Sequence, residues 1–140
     1  WAVGRAELIG ALGRVKNYVD TGPFLAVQAA GAAVLAQAET LVRPYVNEFR
    51  ARRDAMVPAL RGRGFELDTP RATMYCWVPL PEGVASAAFQ RRALEDTGVV
   101  TLPGSGFGAG AEGFVRIALT VGAPRLEEAA ERLGRVLAAV

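Results

Sequence analysis

One arginine interrupts the apolar run Phe114-Val115-Arg116-Ile117-Ala118-Leu119, and it is the residue of this chain with the most chemical consequence. A guanidinium keeps its proton at any pH a folded protein meets, and burying it alone is costly. A strand that retains one therefore offers its planar fork of donors to a carboxylate or phosphate. Alternation gives the direction: Val115, Ile117 and Leu119 share a face that reads as core, while Phe114, Arg116, Ala118 and Thr120 share the other. The preceding loop, Pro103-Gly104-Ser105-Gly106-Phe107-Gly108, is flexible by composition and would line the space that Arg116 faces. Two readings stay open on pattern alone. Arg116 faces an anionic ligand in a pocket, or it lies on the open face of an antiparallel sheet or in an internal ion pair.

Other chemistry is narrowed by what the chain lacks. With no histidine, there is no Ser-His or Cys-His pair, no histidine base and no histidine metal ligand. The single cysteine, Cys76, sits in an apolar run and reads as a small buried hydrophobe in a reducing compartment, not as a nucleophile. The single lysine, Lys16, ends a helical pattern without neighbours that would depress its pKa, which argues against a catalytic amine. The glycines at 104, 106 and 108 do not form a dinucleotide-binding turn, because the third glycine is misplaced and no long helix begins there. The 16 basic residues against 14 acidic ones give a net charge of only +2, spread along the chain. Arg50, Arg52 and Arg53 are interrupted by Glu48 and Asp54, as on a solvated helix face, so nucleic acid is not an expected partner. No apolar run has the length of a bilayer span, and the expected compartment is the cytoplasm.

The elements that must position these residues follow from periodicity. Leu8, Ile9, Leu12 and Val15 predict a first helix from about residue 6 to 15. Pro23 opens a second, apolar helix to Gln37 that should be largely buried. Leu41, Tyr45, Phe49, Met56 and Leu60 form the inner stripe of a longer helix over 40–63, with Pro44 in its first turn and a kink or early break near Pro58. The period then becomes alternating. Strands are expected at 65–67, at 73–78 with both faces substantially covered, and at 99–102, before the Arg116 strand. A helix over 86–96 turns Phe89 and Leu94 inward, and Pro124 opens a final helix carrying Leu126, Ala130, Leu133, Leu137 and Val140. At 140 residues and 51% apolar content the chain holds one ordinary core. The sum is an α+β fold: a short, mostly antiparallel sheet covered by helices and preceded by further helices. Residues 1–38 read as the end of a strand already in progress plus interface helices, and residues 39–140 as the small α+β domain.

Several segments together resemble the C-terminal part of class I/II aminotransferases, the fold type I enzymes that use pyridoxal phosphate. They are Trp1-Ala2-Val3-Gly4 with Glu7-Leu8-Ile9, Asp20-Thr21-Gly22-Pro23-Phe24 leading to Gln28, Arg52-Arg53-Asp54, Ala72-Thr73-Met74-Tyr75-Cys76-Trp77, and residues 103–108 through Arg116. The Asp20-to-Phe24 turn resembles most the diaminopimelate-type enzymes. The resemblance implies transfer of an amino group between an amino acid and a 2-oxo acid, in a homodimer. It also implies that Arg116 binds the substrate α-carboxylate, and that Thr21 lies in a turn reaching across the dimer toward the other subunit's cofactor. Gly104 and Phe107 would approach the substrate at the site entrance, close backbone packing being the alternative role for them, and Met74 and Tyr75 would border the substrate side chain, although their composition reads as ordinary core. The family's Schiff-base lysine, in a serine-rich motif, the phosphate-holding arginine after it and the aspartate that pairs with the pyridine nitrogen have no counterparts here. The chain is thus expected to be a fragment, inactive alone. The alternative is a non-catalytic α+β module that binds an acidic ligand or partner through Arg116 and the glycine loop.

Overall fold

From Met56 to Val136, strand residues of period two and helix residues of period 3.6 bury their apolar faces against one another. The computed structural model describes residues 2–140. Helices α1 (Ala6–Lys16), α2 (Leu25–Ala36) and α3 (Ala38–Arg61) are followed by β1 (Tyr75–Pro79), α4 (Ser86–Thr97), β2 (Leu102–Pro103), β3 (Phe114–Ala118) and α5 (Ala123–Leu137). Two short 3₁₀ turns, Gly104–Phe107 and Ala109–Ala111, bridge β2 and β3. The chain separates into two compact units, Trp1–Val42 and Arg43–Val140, with α3 contributing to both.

The second unit holds the sheet, an antiparallel arrangement in the order β1-β3-β2. Trp77 of β1 and Leu102 of β2 both stand opposite Arg116, which places the arginine in the middle of the central strand. The alternation read from sequence holds for β3, where Val115 and Ile117 are buried, and continues to buried Leu119 just beyond it. With Cys76 and Val78 of β1 they pack against Met56, Val57 and Leu60 of α3, Phe89 and Ala93 of α4, and Leu126, Ala130, Leu133 and Val136 of α5. Ala93 and Ala130 are fully buried, and such small side chains let α4 and α5 approach closely.

Several expectations are corrected, each for a local reason. Residues 65–67 do bury Phe65 and Leu67 and expose Glu66, yet they form no strand. The Phe65 N–H closes the end of α3 on the Leu60 carbonyl, and the Arg61 guanidinium takes the Leu67 carbonyl, so no ladder partner is needed. The strand expected at 99–102 shrinks to Leu102–Pro103 because Val99 is used upstream. Gly98 adopts the left-handed conformation (φ 71°) that ends α4, and the Val99 N–H bonds back to Ala93. In α4 it is Ala93, not Leu94, that faces the core. Pro58 does not break α3, which runs on to Arg61: the ring faces solvent while its neighbours Met56, Val57 and Leu60 hold the turn in the core. Strand β1 is covered on one face only, since Trp77 remains 38% exposed and Tyr75 half-buried.

In the first unit, α1 follows the sequence expectation, and residues 2–5 form no regular element. Trp1, where the expected strand end begins, lies outside the described residues. α2 forms, but none of its residues is buried, because no segment of its unit covers it. No single helix among the described residues is long and apolar enough to cross a membrane.

Candidate functional site

The outer face of the sheet carries Tyr75, Trp77, Phe114 and Arg116, all put there by the pleat. The guanidinium carbon of Arg116 lies 4.2 Å from the centre of the Tyr75 ring and 4.7 Å from that of Phe107, within the range of cation–π attraction. Tyr75 is the diagonal neighbour of Arg116 across the β1–β3 pair, close enough for two long side chains to meet. Phe107 arrives from the 3₁₀ turn and meets Trp77 edge-to-face with ring centres 5.5 Å apart, and Trp77 in turn stacks on Phe114 with centres 5.7 Å apart. Among the described residues no carboxylate lies within ion-pair distance of Arg116. The internal ion pair that the sequence left open is therefore not formed, and the charge has donors to give.

The loop ahead of β3 is less free than its glycine content implies. Gly104 is buried, and a Cβ there would fall 1.8 Å from the Ala111 carbonyl oxygen and 2.7 Å from that of Phe114, so only glycine fits the crossing. The next residue is tied down by its backbone, as the Ser105 N–H donates to the Ser86 hydroxyl at 3.2 Å. Ser86 in turn donates to Glu112, from its N–H at 2.7 Å and its hydroxyl at 2.9 Å. Ala85 precedes α4 and has no side-chain acceptor, so Glu112 supplies the cap from a distance. These bonds, that from the Ser86 N–H foremost, hold the Glu112 carboxyl below its ordinary value of 4.5. A groove of about 470 Å³ opens on the same sheet face, lined by Thr73, Tyr75, Trp77, Phe114, Glu66 and Asp68 among others.

The other residues singled out from sequence fall elsewhere. Met74 lies just before β1 and is exposed, not core, and its carbonyl accepts the Leu119 N–H at 2.8 Å. Cys76 is fully buried and burial pushes its thiol up to about 11, which suits packing and not nucleophilic attack. In the first unit, Thr21 is exposed in a turn shaped by Asp20, whose carboxylate pairs with Lys16 and accepts the Gly22 N–H at 2.8 Å. The bond from Lys16, and then that from Gly22, holds the Asp20 carboxyl below its usual range. The Gln28 side-chain amide donates to the Pro23 carbonyl at 2.8 Å and fixes the entry to α2. Lys16 is thus committed to an exposed ion pair. No metal-binding group of acidic and cysteine side chains is present among the described residues.

Sequence reasoning missed the tertiary use of the α3 arginines. Arg52 and Arg53 are not merely solvated. Arg52 donates to the Leu119 carbonyl at 3.0 Å and Arg53 to that of Pro70 at 3.2 Å, which ties the helix to the end of β3 and to the segment before β1. Their acidic neighbours Glu48 and Asp54 gave the signal of a surface, and no local pattern marks a carbonyl 67 residues away.

A family model described as aminotransferase class I and II matches residues 1–133. The LL-diaminopimelate aminotransferase of Moorella thermoacetica is 44% identical over 140 residues, covering all of this chain and 36% of the relative. That of Halothermothrix orenii is 44% identical over 133 residues, covering 95% of this chain and 34% of the relative. Among solved structures, a probable N-succinyldiaminopimelate aminotransferase from Thermus thermophilus matches with a TM-score of 0.87 and 41% identity, over 96% of this chain and 36% of that one. An α-aminoadipate aminotransferase from a second strain of Thermus thermophilus matches with a TM-score of 0.83 and 25% identity, over 98% of this chain and 37% of that one. The chain spans roughly a third of the length of these proteins.

Proposed function

Because the chain belongs to the class I and II aminotransferase family, we propose that it is the part of an amino-acid aminotransferase that holds the α-carboxylate of the substrate, through Arg116. The observation that carries this reading is a guanidinium with no carboxylate partner among the described residues, held over the rings of Tyr75 and Phe107 on the open face of the sheet. A bidentate hold on the carboxylate would fix the position and rotation of the substrate Cα, so its loss should cost orientation as well as binding. The similarity to LL-diaminopimelate aminotransferases makes LL-diaminopimelate the amino donor to try first, with a 2-oxo acid as acceptor.

Enzymes of this family use pyridoxal phosphate. The residues of this chain do not fit that group: its one lysine, Lys16, is exposed and paired with Asp20, leaving no amine to hold the cofactor. In this reading the cofactor's lysine belongs to the part of the relatives' length that the chain does not span, and these 140 residues are inactive by themselves. The complete protein acts as a homodimer in which the Thr21 turn approaches the partner subunit's cofactor. The uncovered apolar helix α2 and the ordered turn before it support that arrangement.

The test is Arg116→Lys in the complete polypeptide. Lysine keeps the charge and loses the fork, and kcat/KM for LL-diaminopimelate should fall roughly 100-fold. Near-normal kinetics would reject the role.

A further inference from the structure

We propose that Tyr75 and Phe107 are positioning residues, which hold the Arg116 guanidinium over their rings and leave its donors free for the substrate carboxylate. The inference rests on the carboxylate-binding reading of Arg116. It adds how that side chain is oriented and which residues set the affinity.

A guanidinium has two chemically different surfaces. Its N–H donors lie in the plane, whereas its faces are weakly hydrated and stack on aromatic rings. With ring centres 4.2 Å and 4.7 Å from the guanidinium carbon, Tyr75 and Phe107 attract the group without consuming a donor. An acidic partner would also have held the side chain, but would have competed directly with the substrate. The two rings have separate supports. Tyr75 is fixed by the β1–β3 register. Phe107 is fixed by its edge contact with Trp77, itself stacked on Phe114, and by the loop anchors at Gly104 and Ser105. A long flexible arginine ordered in advance loses less conformational freedom when the carboxylate arrives.

Such a hold acts on bound substrate and transition state alike, so its loss should appear in KM and leave kcat nearly unchanged. In the complete enzyme, Phe107→Leu and Tyr75→Leu are each expected to raise KM for the amino donor roughly 5- to 10-fold, with kcat changed by less than about 2-fold. The aromatic replacements Tyr75→Phe and Phe107→Tyr should retain the parent KM, which simple loss of packing would not explain. Phe107 is 49% exposed, so its leucine variant is expected to fold, and an unchanged thermal midpoint checks this. Unaltered KM in both leucine variants, with Arg116→Lys still impaired, would overturn the clamp while leaving the carboxylate role intact. Unimpaired Arg116→Lys would overturn both.

Discussion

Glu112 accepts two hydrogen bonds from Ser86, although 26 residues separate them, and so joins the start of α4 to the turn that precedes β3. Because the same Ser86 hydroxyl receives the Ser105 N–H, the carboxylate indirectly secures the loop that carries Phe107 to Arg116.

This arrangement makes stability depend on pH in a defined sense. The folded pKa of Glu112 lies below its ordinary value of 4.5, so the folded protein binds this proton less readily than the unfolded chain does. The stabilisation is complete above 4.5 and is lost as pH falls through the lowered folded value. Comparing Glu112→Gln with the parent, the gap between urea midpoints should be constant from about pH 6 to 8 and should close on acidification below the carboxylate range. A gap that widens in acid would contradict the assignment.

Gly104 should tolerate no side chain. The atoms that Gly104→Ala would strike are backbone oxygens at 1.8 Å and 2.7 Å, which cannot rotate away as a side chain would. Urea unfolding is expected to show a loss of about 3 kcal/mol, at the upper end of overpacking effects, and the complete enzyme should lose affinity for its amino donor because the Phe107 turn is displaced. An alanine variant with parent-like stability would mean that the loop can be rebuilt.

Cys76 should be silent in the folded protein. Its thiol is buried within the sheet's covered face, with a pKa of about 11, so little thiolate forms near neutral pH and a reagent has no route to it. A colorimetric disulfide reagent should label it only after denaturant is added. Rapid labelling in native buffer would show that the packing is open at β1.

How far these features were legible in the sequence depends on the range of the interaction behind each. The facing of Arg116 was readable because the pleat alone sets it, and so was most of α5, where Leu126, Ala130 and Leu133 are buried as expected while Val136, not Val140, completes the inner face because the helix ends at Leu137. Phe65, Glu66 and Leu67 alternated like a strand, but burial period and ladder bonding are separate properties, and Arg61 took the carbonyl that a neighbouring strand would have used. Phe107 was recognisable as a loop residue, whereas its ring contact with Arg116 depends on how Gly104 lets the loop cross Ala111. The Glu112–Ser86 bonds and the reach of Arg52 to Leu119 join distant positions that leave no periodic trace. In α2 the apolar composition was plain, but composition does not say which surface covers a helix, and none of its residues is buried.

The central claim is that Arg116 reads a carboxylate, and the direct measurement removes that group from each side in turn. The complete enzyme and its Arg116→Gln variant are each assayed with the amino-acid donor and with the same donor's α-carboxamide. The parent should prefer the acid by roughly 100-fold in kcat/KM, as expected for charge-assisted bidentate hydrogen bonds, and in Arg116→Gln this preference should collapse to within a few-fold. If the variant still discriminates acid from amide as strongly as the parent, another residue binds the carboxylate and Arg116 does not.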